Sequence, residues 1–338
     1  MQAGEEGDCQ AFVLASPHSN YCQDLAWKGV IEAAYGQEPH YLVCRDRSGA
    51  ISGLAPAFWM ESVFFGRQLV SLPYLDYGGI LAADAESETA LLATLRTSAR
   101  GRRARLDLRQ DRPVEGLPAP SNAKVKMMLD LGGRSRDVYW DGLDAKVRNQ
   151  VRKAEKSGIL VQRGGEEMLD DFYRVFCVNM RDLGSPVHDK GFFRDLLRRI
   201  PGAEIALAMW GDYCVGGLVR IHWKHTMAIP WASTLRKYRS RCPNNALYWH
   251  TLADAFGQGC SLVDFGRSTR DAGTYRFKQQ WQAREEPLPW YGFAPSGASA
   301  RSAAHPSGLM QLVSNLWSRL PVRYANRLGP QIRGAFSN

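Results

Sequence analysis

An internal repeat restricts the folds that are open to this chain. Residues 205–223 align with residues 41–59 without a gap, at a constant offset of 205 − 41 = 164 positions. The identical pairs are Gly53 with Gly217, Leu54 with Leu218, and Trp59 with Trp223. Each segment has two apolar-rich runs separated by a turn, which predicts a β-hairpin. The repeat therefore predicts a duplicated unit rather than one continuous core.

The elements that follow each hairpin define the fold class. Both halves continue with a predicted strand, loop, helix and strand, and the last strand carries Asp107 in one half and Asp264 in the other. This order predicts an α/β (α+β) protein with two mixed, largely antiparallel sheets flanked by helices, not a doubly wound parallel sheet. A chain of 338 residues suits two domains. We expect an N-terminal domain at 1–135, a C-terminal domain at 136–293, and a linker with a basic amphipathic helix at 294–338.

The charge balance restricts the partners. The formal charge is +9 and the pI is about 9.2, which favours phosphate groups, nucleic acid or an anionic membrane surface. The seven cysteines are scattered and form no Cys-x-x-Cys motif, so neither a disulfide framework nor a zinc site is expected. The first residues have no secretory pattern, and no apolar run reaches the roughly 18 residues of a membrane span. We expect a cytoplasmic protein without a metal.

Residues 263–281 contain the most informative candidate site. Asp264 lies inside a predicted strand that ends at Gly266. Beyond the strand come polar, cationic and aromatic residues in close succession: Arg267, Ser268, Arg270, Tyr275, Arg276, Phe277, Lys278 and Trp281. Aromatic and cationic side chains on one loop are typical of a binding pocket. The alternative is a solvated basic loop followed by a helix that docks on the core.

Two further segments favour anion binding. A helix predicted at 141–158 has one apolar stripe and a cationic remainder that includes Arg148 and Arg152. Asn244 and Asn245 are predicted to cap a later helix that runs to about residue 256, and they follow Lys237, Arg239 and Arg241. In both segments the alternative is a solvated basic face. A third loop, residues 73–79, is rich in glycine and aromatic residues and could line a pocket with Asp76 and Tyr77.

Several common chemistries are excluded. The sequence has no phosphate-binding loop of the P-loop type and no Gly-x-Gly-x-x-Gly after a strand. His222 and His225 would lie on opposite faces of a strand and have no evident third metal ligand. Ser185 and Ser268 lack a nucleophile-elbow setting.

The last part of the chain predicts an amphipathic helix. Its apolar stripe consists of Leu309, Leu312, Val313, Leu316, Trp317 and Leu320, and its cations are Arg319, Arg323, Arg327 and Arg333. We expect this helix to dock on the protein, and peripheral contact of residues 309–338 with the inner face of the cytoplasmic membrane is the alternative.

The duplicated unit and four segments of the sequence together resemble the FemAB family over nearly the whole chain. The four segments are the basic helix at 146–158, the run from Arg181 to Val187, the helix start at 243–245, and the stretch at 264–281. The sequence looks most like the FemAB-like branch associated with exosortase (PEP-CTERM) and exopolysaccharide loci. The resemblance implies two GNAT-like domains, the second of the BioF2-like acetyltransferase type, which together hold a donor and an acceptor.

The resemblance also implies an activity. Fem enzymes move an amino acid from aminoacyl-tRNA to an amine of a peptidoglycan precursor. Phe277 and Lys278 match the family's Phe-Lys pair near the donor ester, and Arg148 and Arg152 belong to its basic helix. The chain departs from the peptidoglycan enzymes because it has no long coiled-coil insertion, so the donor is aminoacyl-tRNA or acyl-CoA, without a tightly bound cofactor.

We therefore expect acyl or aminoacyl transfer to an amine or hydroxyl of a phosphate-bearing or lipid-linked envelope precursor. Lys278 is the expected oxyanion stabiliser, and Asp264, or more weakly Asp76, is the expected base. The other expected site residues would contact substrate: Tyr77, Arg148, Arg152, Asn244, Asn245, Arg267, Ser268, Arg270, Tyr275 and Phe277. One alternative is a CoA-dependent N-acetyltransferase, which the glycine-free loop at 237–243 disfavours. Another is a non-catalytic basic module that binds nucleic acid or an envelope polymer.

Overall fold

The computed structural model divides the chain into two compact units. It describes residues 1, 4–62, 66–117, 124–296, 298–300 and 314–337. The first unit consists of Met1–Asn122, Pro287–Met310 and Gln331–Asn338, and the second of Ala123–Glu286 and Gln311–Pro330. Each unit therefore combines segments that are distant in the sequence.

The described residues form helices and strands in mixed order. The helices are α1 (Glu6–Ala15), α2 (Ala26–Tyr35), α3 (Ala85–Gly101), α4 (Arg136–Asp141), α5 (Ala145–Lys156), α6 (Leu169–Asp182), α7 (Lys190–Arg199), α8 (Pro243–Gly257), α9 (Gly273–Gln279) and α10 (Val322–Gly334). The strands are β1 (Glu38–Pro39), β2 (Leu42–Arg45), β3 (Ile51–Ala55), β4 (Phe58–Ser62), β5 (Gly66–Val70), β6 (Leu81–Ala82), β7 (Arg105–Arg109), β8 (Lys124–Asp130), β9 (Ile159–Gly164), β10 (Ala203–Trp210), β11 (Tyr213–Trp223), β12 (Thr226–Thr234), β13 (Leu262–Thr269), β14 (Arg284–Pro287), β15 (Trp290–Phe293) and β16 (Ser299–Ala300). No helix among these residues is long and apolar enough to cross a membrane.

The first unit is built on two sheets. The larger has the strand order β1-β4-β5-β7-β15-β16, and the smaller has the order β2-β3-β6. β5 and β7 are parallel, whereas the neighbouring pairs β4–β5 and β7–β15 are antiparallel. The leucines of α3 pack against Leu106 and Leu108 of β7 and form the core of this unit.

The second unit has one sheet with the order β14-β8-β13-β12-β11-β10-β9. β12 and β13 are parallel. Helices α5 and α8 supply Val147, Val151 and Leu247 to the core, and burial of each such side chain is worth about 1.5–3 kcal/mol. A separate aromatic cluster holds α6 and α7, where Phe172 and Phe176 of α6 pack against Phe193 of α7. The predicted mixed sheets flanked by helices are therefore confirmed.

The predicted duplication is confirmed by the strand order. In each unit an antiparallel pair leads into a parallel pair, β4–β5–β7 in the first and β11–β12–β13 in the second. Val70 pairs with Asp107 at the last parallel position of the first unit, and Ala228 pairs with Asp264 at the last parallel position of the second. The two aspartates therefore occupy equivalent places.

The two hairpins differ after the turn. β3 ends at Ala55, and the chain resumes after Pro56 as β4 in the other sheet of the first unit. β11 continues through the corresponding position, with a register shift between Val219 and Ile221. A proline has no N–H to donate to a sheet, which accounts for the interruption in the first unit alone.

The observed units differ from the expected linear domains. β8 lies inside the range expected for the first domain, 1–135, but it pairs with β13 in the sheet of the second unit. β15 lies inside the range expected for the second domain, 136–293, but pairs with β7 in the first unit. Alternating apolar residues identify a strand but not its partner, so the sequence could not show these pairings.

The expected segment at 294–338 is described only in part. Leu309, Leu312 and Val313 of the expected stripe lie outside the described residues. Residues 314–317 are helical, and α10 follows from Val322. Residues 311–330 are assigned to the second unit and residues 331–338 to the first.

The repeated glycines have a packing role that can be tested. A β-carbon on Gly217 would lie 3.0 Å from both Leu207 Cδ2 and Phe172 Cδ2. Although valine favours strands, we expect Gly217→Val to lower the free energy of unfolding by about 1–3 kcal/mol because it overpacks this contact. Chemical denaturation measures the change.

Gln162→Val provides the control because Gln162 is exposed on β9. Its effect should stay within about 0.5 kcal/mol. A Gly217→Val variant as stable as the wild type would contradict the packing role of this glycine.

Candidate active site of the second unit

Strand β13 carries an irregularity at the centre of the predicted site. We expected the strand to end at Gly266, but it continues to Thr269. Its register against β8 shifts between Asp264 and Arg267, and Gly266 has a φ of +70°. A positive φ is natural for glycine and strained for other residues, so Gly266 permits a bulge where the sequence pattern indicated a stop.

The two peptide groups of Gly266 connect the two principal catalytic candidates. Its N–H donates to Asp264 Oδ1 at 2.7 Å, and its carbonyl oxygen accepts from Lys278 Nζ at 3.2 Å. Lys278 Nζ also donates to the carbonyl oxygen of Arg267 at 2.9 Å. Asp264 is 1% exposed and Lys278 is 7% exposed. The structure thus brings a buried carboxylate and a buried ammonium to one residue of β13.

Helix α9 places Lys278 by means of an aromatic anchor. Phe277 packs edge-on against Tyr248 of α8, with 4.9 Å between ring centroids. Trp281, which directly follows the helix, is fully buried, and its carbonyl oxygen accepts from the hydroxyl of Tyr139 at 2.7 Å. Phe277 therefore contributes to the position of Lys278, and its ring faces the protein core rather than open solvent.

Asp264 lies where two parallel strands separate. The pairing of β12 with β13 includes Ala228 with Asp264 and extends no further among the described residues, although the strands continue to Thr234 and Thr269. Ser268 lies beyond this point, is 3% exposed, and its Oγ has no hydrogen-bond partner among the described residues. We call the point where β12 and β13 separate the fork. Backbone and hydroxyl groups beyond it can bind an extended ligand.

Arg270 and Tyr275 lie at an exposed rim and share a partner that we had not predicted. Arg270 Nε lies 3.2 Å from Glu285 Oε2, and the Tyr275 hydroxyl donates to the same oxygen at 2.8 Å. Arg270 and Tyr275 lower the pKa of Glu285, and hydrogen bonding to Glu285 raises the pKa of Tyr275. The cation of Arg270 is therefore already paired with a carboxylate.

Arg267 has a different environment from Arg270. It is half-buried and stands opposite Lys126 in the β13–β8 register. Lys126 Nζ lies 3.1 Å from Glu286 Oε2. The consecutive acids Glu285 and Glu286 thus balance part of the positive charge that the sequence suggested for this region. The sequence did contain a signal for this pairing, because the two acids follow closely after the aromatic and cationic stretch.

Asp141 is the last residue of α4, and the basic helix α5 begins only at Ala145, later than the predicted start at 141. Asp144 caps it through a hydrogen bond from the Lys146 N–H at 2.7 Å. Arg148 Nη1 donates to the carbonyl oxygen of Asp141 at 2.6 Å, while its buried Nε has no partner among the described residues. Arg152 is exposed and lies over the ring of Trp140 at 5.6 Å. Both arginines thus remain candidates for substrate contact.

The start of α8 differs from the expected asparagine cap. The helix begins at Pro243, after Cys242 at a φ of +56°, and has no side-chain cap. Asn244 and Asn245 therefore lie inside its first turn. Asn245 Nδ2 donates to Gln150 Oε1 of α5 at 3.2 Å, and the buried Oδ1 of Asn244 has no partner among the described residues. Proline at the first helical position explains the shift, because its fixed φ suits a helix start.

Asp76 and Tyr77 belong to the first unit, whereas the other predicted site residues belong to the second. Asp76 is half-buried, and its carbonyl oxygen accepts from Trp290 Nε1 at 2.8 Å. Tyr77 is 3% exposed and packs edge-on against Tyr21 at 5.9 Å. Within the first unit these contacts give both residues a structural setting.

The second unit also contains a small cavity that the sequence did not indicate. Its volume is about 80 Å³, and its lining includes Arg163, Arg220, His250 and Asp254. Arg220 is 1% exposed and forms ion pairs with Glu204 and Asp254. No cluster of three or more metal-ligating side chains occurs among the residues that the structure describes.

Comparisons with known proteins show what parts of the chain are similar to. Residues 143–279 match the sequence model of the acetyltransferase (GNAT) domain. This range contains Asp264, Lys278 and the basic helix. No curated sequence matches the chain significantly.

Solved structures extend the similarity to both units. A structure of FemX covers 87% of this chain and 96% of its own, with a TM-score of 0.69 and 14% identity. The C-terminal domain of a protein named as a lysylphosphatidylglycerol synthetase, from Agrobacterium fabrum, covers 86% and 92%, with a TM-score of 0.57 and 13% identity. A tandem GNAT protein from the clavulanic acid pathway covers 89% and 94%, with a TM-score of 0.53 and 12% identity.

At these identities the solved structures show a common fold. Residues 143–279 thus resemble a GNAT-type acetyltransferase domain, and the chain shares the fold of FemX and of the tandem GNAT protein, as expected from its sequence.

Proposed function

We propose that this chain transfers an acyl or aminoacyl group to an amine or hydroxyl of a phosphate-bearing cell-envelope precursor, by direct attack in a ternary complex. The observation that carries the proposal is the link through Gly266 between Asp264 and Lys278. A buried carboxylate and a buried ammonium at one bulge resemble the base and oxyanion stabiliser of acyl transfer more than a structural ion pair on the surface.

The role of Lys278 follows from how it is held. Two carbonyl oxygens, of Gly266 and Arg267, fix its ammonium group next to the fork between β12 and β13. A cation held before the reaction needs no reorganisation when negative charge develops, and in a site with little water it stabilises that charge strongly. We assign Lys278 to the oxyanion that forms on the carbonyl of the donor ester.

The reaction then proceeds in two balanced steps. The neutral amine or hydroxyl of the acceptor forms a bond to the carbonyl carbon, and the π electrons of the carbonyl move to its oxygen. When the carbonyl reforms, the bond from carbon to the leaving oxygen or sulfur of the donor breaks. Asp264 accepts the proton that the acceptor loses and passes it to the leaving group.

The cationic surface of the second unit suits an anionic acceptor. Arg148 has a buried Nε that no described group satisfies, and Arg152 is exposed beside Trp140. The first turn of α8, joined to α5 by Asn245, adds the positive end of a helix dipole. We propose that these groups hold phosphate groups of the acceptor.

The donor is an aminoacyl ester in this proposal. Residues 237–243, which precede and begin α8, contain no glycine. Close approach of a backbone to a pyrophosphate commonly requires glycine, so this loop disfavours CoA. The FemX-like fold and the Phe277–Lys278 pair favour aminoacyl-tRNA instead.

The match to an acetyltransferase domain favours CoA as a second candidate donor. Titration of the protein with acetyl-CoA in a calorimeter separates the two. We expect no saturable heat of binding at acetyl-CoA concentrations up to about 1 mM. Tight, saturable binding would instead identify acyl-CoA, not aminoacyl-tRNA, as the donor.

Removal of the ammonium group tests the catalytic assignment. We expect Lys278→Ala to lower the transfer rate by about 10²–10³-fold, since a single oxyanion donor is worth that much. The assay follows labelled amino acids from a mixed aminoacyl-tRNA pool into an extract of envelope precursors. Arg276→Ala is the control, because Arg276 is an exposed cation on the same helix, and it should transfer at nearly the wild-type rate.

Circular dichroism of both variants should show intact secondary structure. Near-normal turnover of folded Lys278→Ala would refute the role of Lys278. Turnover in neither the wild type nor the variants, with salt-sensitive polyanion binding in both, would favour a non-catalytic module.

The bulge can be tested separately through its backbone conformation. Gly266 and Gly259 both have a φ of +70°, so an alanine at either position costs about 1–2 kcal/mol of unfolding free energy. Gly259 is exposed and lies outside the site. Gly266 is buried, so we expect Gly266→Ala to lose at least as much stability as Gly259→Ala, and we expect a loss of transfer only in Gly266→Ala.

Thermal unfolding and the same transfer assay measure the two effects. Asparagine tolerates this backbone region better than alanine, so Gly266→Asn should retain more activity than Gly266→Ala. Equal activity in Gly266→Ala and Gly259→Ala would contradict the proposed link between Asp264 and Lys278.

A further inference from the structure

The segment at 314–330 has two faces with different properties. One face is docked on the second unit, where Trp317 is 8% exposed and Ala325 is 2% exposed. A β-carbon on Gly329 would lie 2.7 Å from Val187 Cγ1, so the backbone of α10 packs closely against the loop between α6 and α7. Arg181 Nη1 also donates to the carbonyl oxygen of Leu320 at 3.0 Å. Trp317 of the predicted apolar stripe is therefore docked on the protein as expected, whereas Leu316 of the same stripe is exposed.

The opposite face exposes large apolar side chains. Leu316 is 58% exposed, Tyr324 is 47% exposed and Leu328 is 44% exposed. Among the described residues only eight large apolar side chains are this exposed, and three of them fall in this segment. Tyr324 and Leu328 are four positions apart on α10, so they lie side by side. Several exposed large apolar side chains within one short segment are typical of an interaction surface.

Cations alternate with these apolar side chains. Arg319, Arg323 and Arg327 are all exposed, and Arg323 lies over the ring of Tyr324 at 4.7 Å. None of the three forms an ion pair with a described carboxylate. The last acidic residue of the sequence is Glu286. The face therefore carries a positive charge that no acidic side chain of its own segment balances.

Apolar and cationic groups side by side fit one kind of partner better than others. A nucleic acid would pair with the arginines but would leave Leu316 and Leu328 in water. A bilayer with anionic headgroups accepts both kinds of group, because leucine enters the acyl boundary while tyrosine and arginine remain at the headgroups.

We propose that the face formed by Leu316, Arg319, Arg323, Tyr324, Arg327 and Leu328 is a peripheral binding site for an anionic phospholipid surface. This goes beyond the proposed transfer reaction and does not depend on it. The contact would hold the second unit beside a membrane on which lipid-linked acceptors are located.

Vesicle flotation of the full chain tests the site. We expect the protein to float with vesicles of 70% phosphatidylcholine and 30% phosphatidylglycerol at 0.1 M salt, and to remain unbound with pure phosphatidylcholine. Tyr324→Gln/Leu328→Gln should lower the bound fraction at least five-fold, because lipid binding scales with buried apolar area. Arg319→Gln/Arg323→Gln/Arg327→Gln should lower it at least ten-fold, because each cation near an anionic surface adds affinity.

Two matched variants serve as controls. Tyr213→Gln/Leu160→Gln removes the same two residue types from β11 and β9, where they are even more exposed, at 65% and 67%. Arg136→Gln/Arg174→Gln/Arg199→Gln removes the same charge from three other exposed sites. Both controls should float like the wild type, and all variants should keep wild-type circular dichroism.

Three outcomes would overturn the proposal. One is a wild-type protein that stays unbound with the anionic vesicles. Another is equal flotation of Tyr324→Gln/Leu328→Gln and its control, which would move lipid binding to another surface such as α5. The third is tight binding to a fluorescent DNA duplex that depends on the same arginines, without vesicle binding. Failure of the transfer assay alone would leave the flotation result unchanged.

Discussion

The candidate site depends on the conformation of one residue, Gly266. A buried ammonium group is costly unless hydrogen bonds replace its water, and Lys278 obtains two of them from the carbonyl oxygens of Gly266 and Arg267. The same glycine gives its N–H to Asp264. Both contacts require the bulge, and the bulge requires a φ that other residues adopt only with strain. The cost of holding two charges is thereby met by the backbone of one strand.

Duplication clarifies what is particular to the second unit. In the first unit the equivalent carboxylate, Asp107, has Arg109 at 3.5 Å, and both side chains are almost fully buried. The N–H of Arg109 donates to Ser71 Oγ, and its guanidinium donates to the carbonyl oxygens of Leu75 and Ser337. The described groups of the first unit thus fill the place where β5 and β7 separate. The first unit pairs Asp107 directly with the guanidinium of Arg109, whereas in the second unit Asp264 and Lys278 are joined through Gly266.

The sequence was sufficient to predict the duplication, the mixed sheets and the cluster from Asp264 to Lys278, because these depend on local patterns. It was insufficient for features that depend on distant partners. The pairing of β8 with β13 was missed, since alternation does not name a neighbour. Gly266 was interpreted as a strand end because glycine is typical both of a strand end and of a β-bulge, and the sequence alone does not distinguish the two. Charge counts likewise overstated the cationic rim, where Glu285 pairs with Arg270.

The most direct test of this account is a crystal structure of the protein with a non-hydrolysable aminoacyl ester analogue, in which an amide replaces the ester of an aminoacyl adenosine. If Lys278 stabilises the oxyanion, the carbonyl oxygen of the analogue lies about 3 Å from Lys278 Nζ. Its chain should enter the gap between β12 and β13 beyond Ala228 and Asp264. An analogue bound elsewhere, with Lys278 still buried and out of contact with it, would contradict the role of Lys278 as the oxyanion stabiliser.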